Sequence, residues 1–151
     1  MKKIILLASI VMLTACAGMY KEPDMPPDKL ATIVGEKKDR EGFLASSYGK
    51  VTHIDEKKTS ALPELGGPEK RYITPGYHRI KGYWGTVGFG RGSHTSCQMW
   101  FVAEPSTDYI LHHDERTGGY VVFTIENQST NELVGGPVNS ANDPGYPLKK
   151  E

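Results

Sequence analysis

The sequence has almost no cysteine. Its 151 residues hold two, Cys16 and Cys97, so one disulfide at most could form. An excess of charge is also lacking. Lys and Arg number 18 against 18 Asp and Glu, and the formal net charge is zero. No strongly basic patch suggests nucleic acid, and no long acidic tail suggests a solvating segment. Long apolar runs are absent too. A helix crossing a bilayer core needs about 20 apolar residues, and Ile4–Leu13 offers about half of that. After residue 29 no segment keeps apolar residues at i, i+3, i+4 and i+7, so helices are not expected. The motifs G-x-S-x-G and H-E-x-x-H do not occur. Gly88-x-Gly90-x-Gly92 imitates part of a dinucleotide fingerprint, but no helix follows it, and it reads as a loop.

What is present divides the chain. Lys2 and Lys3 give a cationic start, Ile4–Leu13 is nearly all apolar, and small residues precede Cys16. That order is a secretory signal, removed from the mature protein. Residues 17–29, "AGMYKEPDMPPDK", contain three prolines and no period, and read as an extended, semi-rigid tether. The expected organisation is a signal peptide over 1–15, a tether over 16–29, a domain over 30–138 and a polar tail over 139–151.

Leu13-Thr14-Ala15-Cys16 resembles the bacterial lipobox. The resemblance implies cleavage before Cys16, a diacylglyceryl thioether on its sulfur and an acyl group such as palmitate on the new amine. Ala17 follows rather than Asp, which in enteric-type bacteria implies delivery to the outer membrane. One acyl chain binds a membrane only marginally, whereas two or three hold it. Cleavage removes Lys2 and Lys3 from the 18 basic residues and none of the 18 acidic ones. The mature charge is then −2 with His neutral, so no strong pull toward anionic lipid is expected.

The domain reads as strands parted by Gly, Pro and polar turns: "LATIVG", "GKVTHID", "KRYITPGYHRIKGYW" around Pro75-Gly76, "SCQMWFVAE", "DYILHHD", "YVVFTIEN" and "STNELVGG". Short strands at this spacing point to an all-β fold, a small antiparallel β-sandwich of Ig-like or transthyretin-like type. Alternation assigns faces. Cys97, Met99, Phe101 and Ala103 share one side, and Gln98, Trp100 and Val102 the other. Val121, Phe123 and Ile125 point together. His78, Ile80, Gly82 and Trp84 face inward, with Tyr77, Arg79, Lys81 and Tyr83 outside. The strand order and the pieces "YITPGYH" and "FVAE" resemble a broad class of small bacterial β-sandwich lipoproteins, mostly without assigned activity. Pro105-Ser106-Thr107-Asp108 and the long "GTVGFGRGSHTS" connection depart from that pattern.

With Cys16 used for lipid, Cys97 has no disulfide partner and is expected in the core, where free cysteine commonly sits. His94, Cys97, His112 and His113 include zinc-ligand types. Adjacent residues on a strand face opposite ways, however, so His112 and His113 read as solvated histidines near a strand end. Ser93, His94 and Asp108 or Asp114 supply triad parts, but geometry defines a triad. Asn127-Gln128-Ser129 reads as a hairpin turn. No metal, cofactor or catalytic residue is expected.

The candidate contact surface is Tyr77, Arg79 and Tyr83, with Phe89 and Arg91 in the Gly-rich loop. Aromatic residues and Arg are the side chains favoured at interfaces. The expectation is a lipid-anchored protein of the bacterial cell envelope. It would be held by acyl chains on Cys16, and its role would be structural or binding, toward an envelope protein or glycan. The alternative is a metal- or thiol-dependent envelope enzyme using Cys97 and nearby histidines.

Overall fold

A computed structural model describes residues 18–39, 46–62, 66–87 and 93–140. Leu13, Thr14, Ala15, Cys16, Phe89, Arg91 and the tail from 141 lie outside the described residues. Among the described residues ten strands form: β1 (Ala31–Gly35), β2 (Lys37–Asp39), β3 (Ser46–Ile54), β4 (Lys57–Lys58), β5 (Arg71–Ile73), β6 (Gly76–Val87), β7 (His94–Ala103), β8 (Asp108–Arg116), β9 (Tyr120–Asn127) and β10 (Glu132–Asn139). One sheet has the order β10-β9-β8-β1-β5. The second has the order β2-β3-β6-β7, with β4 added to β3.

The two sheets bury one shared core. Ile33, Leu111, Phe123 and Ile125 of the first meet Ile54, Ile80, Met99 and Phe101 of the second. Phe101 and Tyr109 touch edge to face across the layers, with centroids 4.9 Å apart. Burying each such side chain contributes about 1.5–3 kcal/mol. The alternation read from sequence holds. Cys97, Met99, Phe101 and Ala103 are buried, as are Val121, Phe123 and Ile125, and Ile80 and Trp84 face the core.

Three features depart from or add to the expected plan. First, the sheets are not wholly antiparallel, because β1 runs parallel to β8 while pairing antiparallel with β5. Ala31, Thr32 and Ile33 are all buried, so β1 needs cover on both faces and a partner on each edge. Second, Pro75-Gly76, read as a turn or kink between two strands, is also a change of sheet. It carries the chain from β5 in the first sheet to β6 in the second, with Gly76 at φ +121. Third, the expected tether is docked from Gly18 onward. Met19 forms a parallel bridge to Lys58, and the Tyr20 hydroxyl donates to the Tyr72 carbonyl at 2.7 Å. A single 3-10 turn, Pro27–Lys29, then leads into β1.

Candidate functional site

The outer face of the second sheet gathers the polar and aromatic side chains. With Ile80 and Trp84 turned inward, β6 presents Tyr77, Arg79, Lys81 and Tyr83 outward. Register then assembles a row across three strands, because His53 pairs with Lys81 and Lys81 with Gln98. The β3–β6 register shifts between Val51 and His53, and Thr52 donates its hydroxyl to the Lys81 carbonyl at 3.1 Å. This irregularity leaves four consecutive buried residues, Gly49 to Thr52, before His53 emerges.

Beside that row, β3 and β4 are joined by Asp55 and Glu56, at φ 49 and 68. A two-residue hairpin demands positive φ, usually from Gly or Asn, so these acids hold an unfavoured conformation. Their carboxylates are both engaged. Asp55 accepts from the Arg79 backbone N–H at 2.9 Å and lies 2.8 Å from Nδ1 of the buried His78. Glu56 accepts from Arg79 Nη1 at 2.6 Å.

Arg79 is thereby fixed on several sides. Its other terminal nitrogen donates to Gln98 Oε1, and its guanidinium sits 5.3 Å from the Trp100 ring centroid. Trp100 in turn stacks on Tyr77, 5.0 Å away with 22° between the planes. A cleft of about 220 Å³ opens here, lined by His53, Glu56, Arg79, Lys81 and Gln98. Among the described residues the Lys81 ammonium makes no hydrogen bond or ion pair. Such a site can hold an oxygen-rich anion: two cations and the Gln98 amide converge, and one cation has no carboxylate partner.

The expected contact surface is therefore divided. Arg79 lines this cleft, and Trp100 and Tyr77 stack beside it. Tyr83 lies further along β6, stacked on His94 at 6.0 Å and near Tyr48 at 6.4 Å. The ammonium of the buried Lys50 lies 5.7 Å from the Tyr83 centroid and donates to the Gly66 carbonyl. Gln98 and Trp100 were legible as outward residues, because Cys97 and Met99 fix the inner face. His53 and Glu56 were missed, since simple alternation carries no sign of the irregularity in β3 or of the strained turn.

The histidine pair also differs from expectation. His112 and His113 are not solvated at a strand end. They lie within β8, which runs on to Arg116 because β9 pairs with it back to Tyr120. His113 is 1% exposed. Its Nε2 lies 3.1 Å from Ser47 Oγ, and its Nδ1 lies 3.7 Å from Glu36 Oε2. His112 Nδ1 approaches the same carboxylate oxygen at 3.2 Å, and Lys38 at 3.2 Å. Burial, helped by the Lys38 charge and opposed by Glu36 and Glu115, pushes the His113 ring below its ordinary pKa. Burial pulls the Glu36 carboxyl up, but hydrogen bonds from Lys38 and His112 outweigh it and hold the group below its ordinary value. Ser47, His113 and Glu36 follow the order of a nucleophile relay. With Ser47 and His113 both closed to solvent, no substrate reaches the hydroxyl in this arrangement. The contacts tie β3 to β8 across the two sheets.

Cys97 is fully buried on the core face of β7, whereas His94 is exposed and stacks on Tyr83, so the two do not converge. Among the described residues no group of three or more His, Cys, Asp or Glu is placed to hold a metal ion. Asn127 forms the expected turn, its Oδ1 accepting from the Ser129 backbone N–H at 2.9 Å.

Fold and site define a two-sheet all-β domain with a cationic, aromatic-backed cleft on one outer face. No protein family, curated protein or solved structure matches this chain.

Proposed function

We propose that this chain is a lipid-anchored protein of the bacterial cell envelope, in the outer membrane, whose domain has a binding or structural role. The signal sequence ending in Leu13-Thr14-Ala15-Cys16 supports the anchor. The observation that carries the binding role is the cleft at Arg79. Glu56, Gln98 and Trp100 hold its guanidinium, while among the described residues the neighbouring Lys81 ammonium has no ion-pair partner. A cation positioned in advance loses little freedom on meeting a ligand, which is how surface charge becomes affinity. Tyr77, half in the open beside the cleft, extends the contact face.

Metabolic labelling with an alkyne fatty acid tests the anchor. The wild type is expected to take the label, and Cys16→Ser to lose it and accumulate as uncleaved precursor. Labelled Cys16→Ser would end the proposal. For the contact face, a photo-reactive residue in place of Tyr77 is expected to cross-link an envelope component in cells. The same residue in place of the exposed Leu62 is expected to cross-link none.

A further inference from the structure

The docked N-terminal segment and the cleft lie on one line. Gln98, Lys81 and His53 face one another across β7, β6 and β3. The row continues outward, because His53 pairs with Lys58 of β4 and Lys58 pairs in parallel with Met19. Backbone bonds hold that last step: Tyr20 N–H to the Lys58 carbonyl at 2.7 Å, and Lys58 N–H to the Gly18 carbonyl at 2.9 Å. Neighbouring strands lie about 4.8 Å apart, so Met19 is about 10 Å from His53 and about 14 Å from Lys81. Cys16 precedes Met19 by three residues, which span at most about 10 Å. If Cys16 carries acyl chains, the cleft is within about 25 Å of the sulfur that enters the membrane, on the same side of the bilayer.

Charge on this corner is uneven. The nearby acids are already engaged, Asp55 with His78 and the Arg79 backbone, and Glu56, which itself lines the cleft, with the Arg79 side chain. Lys81, and the exposed Lys57 and Lys58 of β4, are left without a carboxylate among the described residues. The mature chain as a whole is slightly acidic, so this cationic corner is local.

We propose that the cleft between His53, Arg79, Lys81 and Gln98 binds the phosphate of a lipid headgroup in the membrane that holds the protein. A phosphate presents several acceptor oxygens, matching the Lys81 ammonium, the Gln98 amide and the edge of the Arg79 guanidinium. The docked N-terminal segment brings that chemistry to the membrane surface, where cations near anionic headgroups strengthen attachment. This rests on the lipid-anchor reading above.

The test is a titration of the processed protein, isotope-labelled and held in zwitterionic micelles, followed by NMR. Short-chain phosphatidylglycerol is expected to give saturating shifts at His53, Arg79, Lys81 and Gln98. Lys81→Gln is expected to weaken that binding about fivefold, while Lys37→Gln on the distant β2 leaves it unchanged. Absence of saturating shifts would overturn the proposal. So would inorganic phosphate binding as tightly as the lipid, which would mark a site for free phosphate. Glucuronate saturating the cleft where phosphate does not would replace the phosphate by a sugar acid. Intact mass of the same sample reads the anchor separately: without acyl chains the membrane source fails, whatever the titration gives.

Discussion

His113 shows how one side chain couples burial to pH. Its ring is enclosed between β3 and β8, Ser47 and Glu36 meet it from the second sheet and the β1–β2 junction, and the Lys38 ammonium donates to the His113 backbone carbonyl. His112 and Glu115 on its own strand complete the charged groups acting on it. Burial leads in lowering its pKa below 6.5. A lowered folded value means that the unfolded chain takes up the proton first. The contribution of His113 is therefore full above about pH 6.5 and lost as pH falls through the folded value. Urea midpoints are expected to drop as pH falls below about 6.5, above the range where Glu36 titrates. His113→Gln should lower stability at neutral pH by about 1–3 kcal/mol and flatten that acid slope. An unchanged slope would show that another group carries it. The sequence named both histidines and correctly sent them to opposite faces. It could not show which was enclosed, because Ser47 and Glu36 reach His113 from 66 and 77 positions away in the chain.

At the scale of elements, the fold turns on the place where β1 leaves the first sheet. Gly35 ends β1, Glu36 crosses, and β2 begins in the second sheet at Lys37. The crossing brings Gly35 against Gly49 of β3, and the Gly49 N–H donates to the Glu36 carbonyl at 2.7 Å. A Cβ on Gly35 would overlap the Gly49 carbonyl and stand 2.6 Å from the Lys50 Cα, both backbone groups that cannot swing aside. Gly35→Ala is therefore expected to cost more than about 3 kcal/mol in chemical denaturation. Gly82→Ala meets only side-chain atoms of Leu111 and Phe123, at 3.2–3.3 Å, and should cost about 1 kcal/mol. Equal losses would mean that the crossing yields. Strand positions and inner faces could be read from alternation because each depends on a few neighbouring residues. The parallel pairing of β1 with β8, the sheet change at Pro75-Gly76 and the cleft around Glu56 could not, since each is decided by register between distant segments.

For the whole molecule, the decisive length under the proposed lipid anchor is that of the chain between Cys16 and the docked segment. A spacer of 14 residues would let the domain roam, whereas Gly18, two residues after Cys16, is already bonded to Lys58. Reach then becomes an equilibrium between docked and released forms, and Tyr20 is a principal contact. Burial first, and then the charges of Asp55 and Glu22, raise its phenol from 10.0 to about 12. The neutral phenol is thus the docked form, its hydroxyl donating to the Tyr72 carbonyl. A raised value in the docked state means that its contribution is complete below about pH 10 and is lost as pH rises toward about 12. Tyr20→Phe removes that hydrogen bond and the ionisation together. Hydrogen exchange at the Tyr20 and Lys58 amides is expected to quicken about fivefold at neutral pH, with core amides such as that of Ile80 unaffected. In the wild type the same two amides should lose protection between about pH 10 and about pH 12, relative to the intrinsic exchange rate, and in the variant that loss should be absent. If the two proteins exchange alike throughout, backbone pairing with Lys58 alone holds the segment, and it stays docked beside β4 without Tyr20.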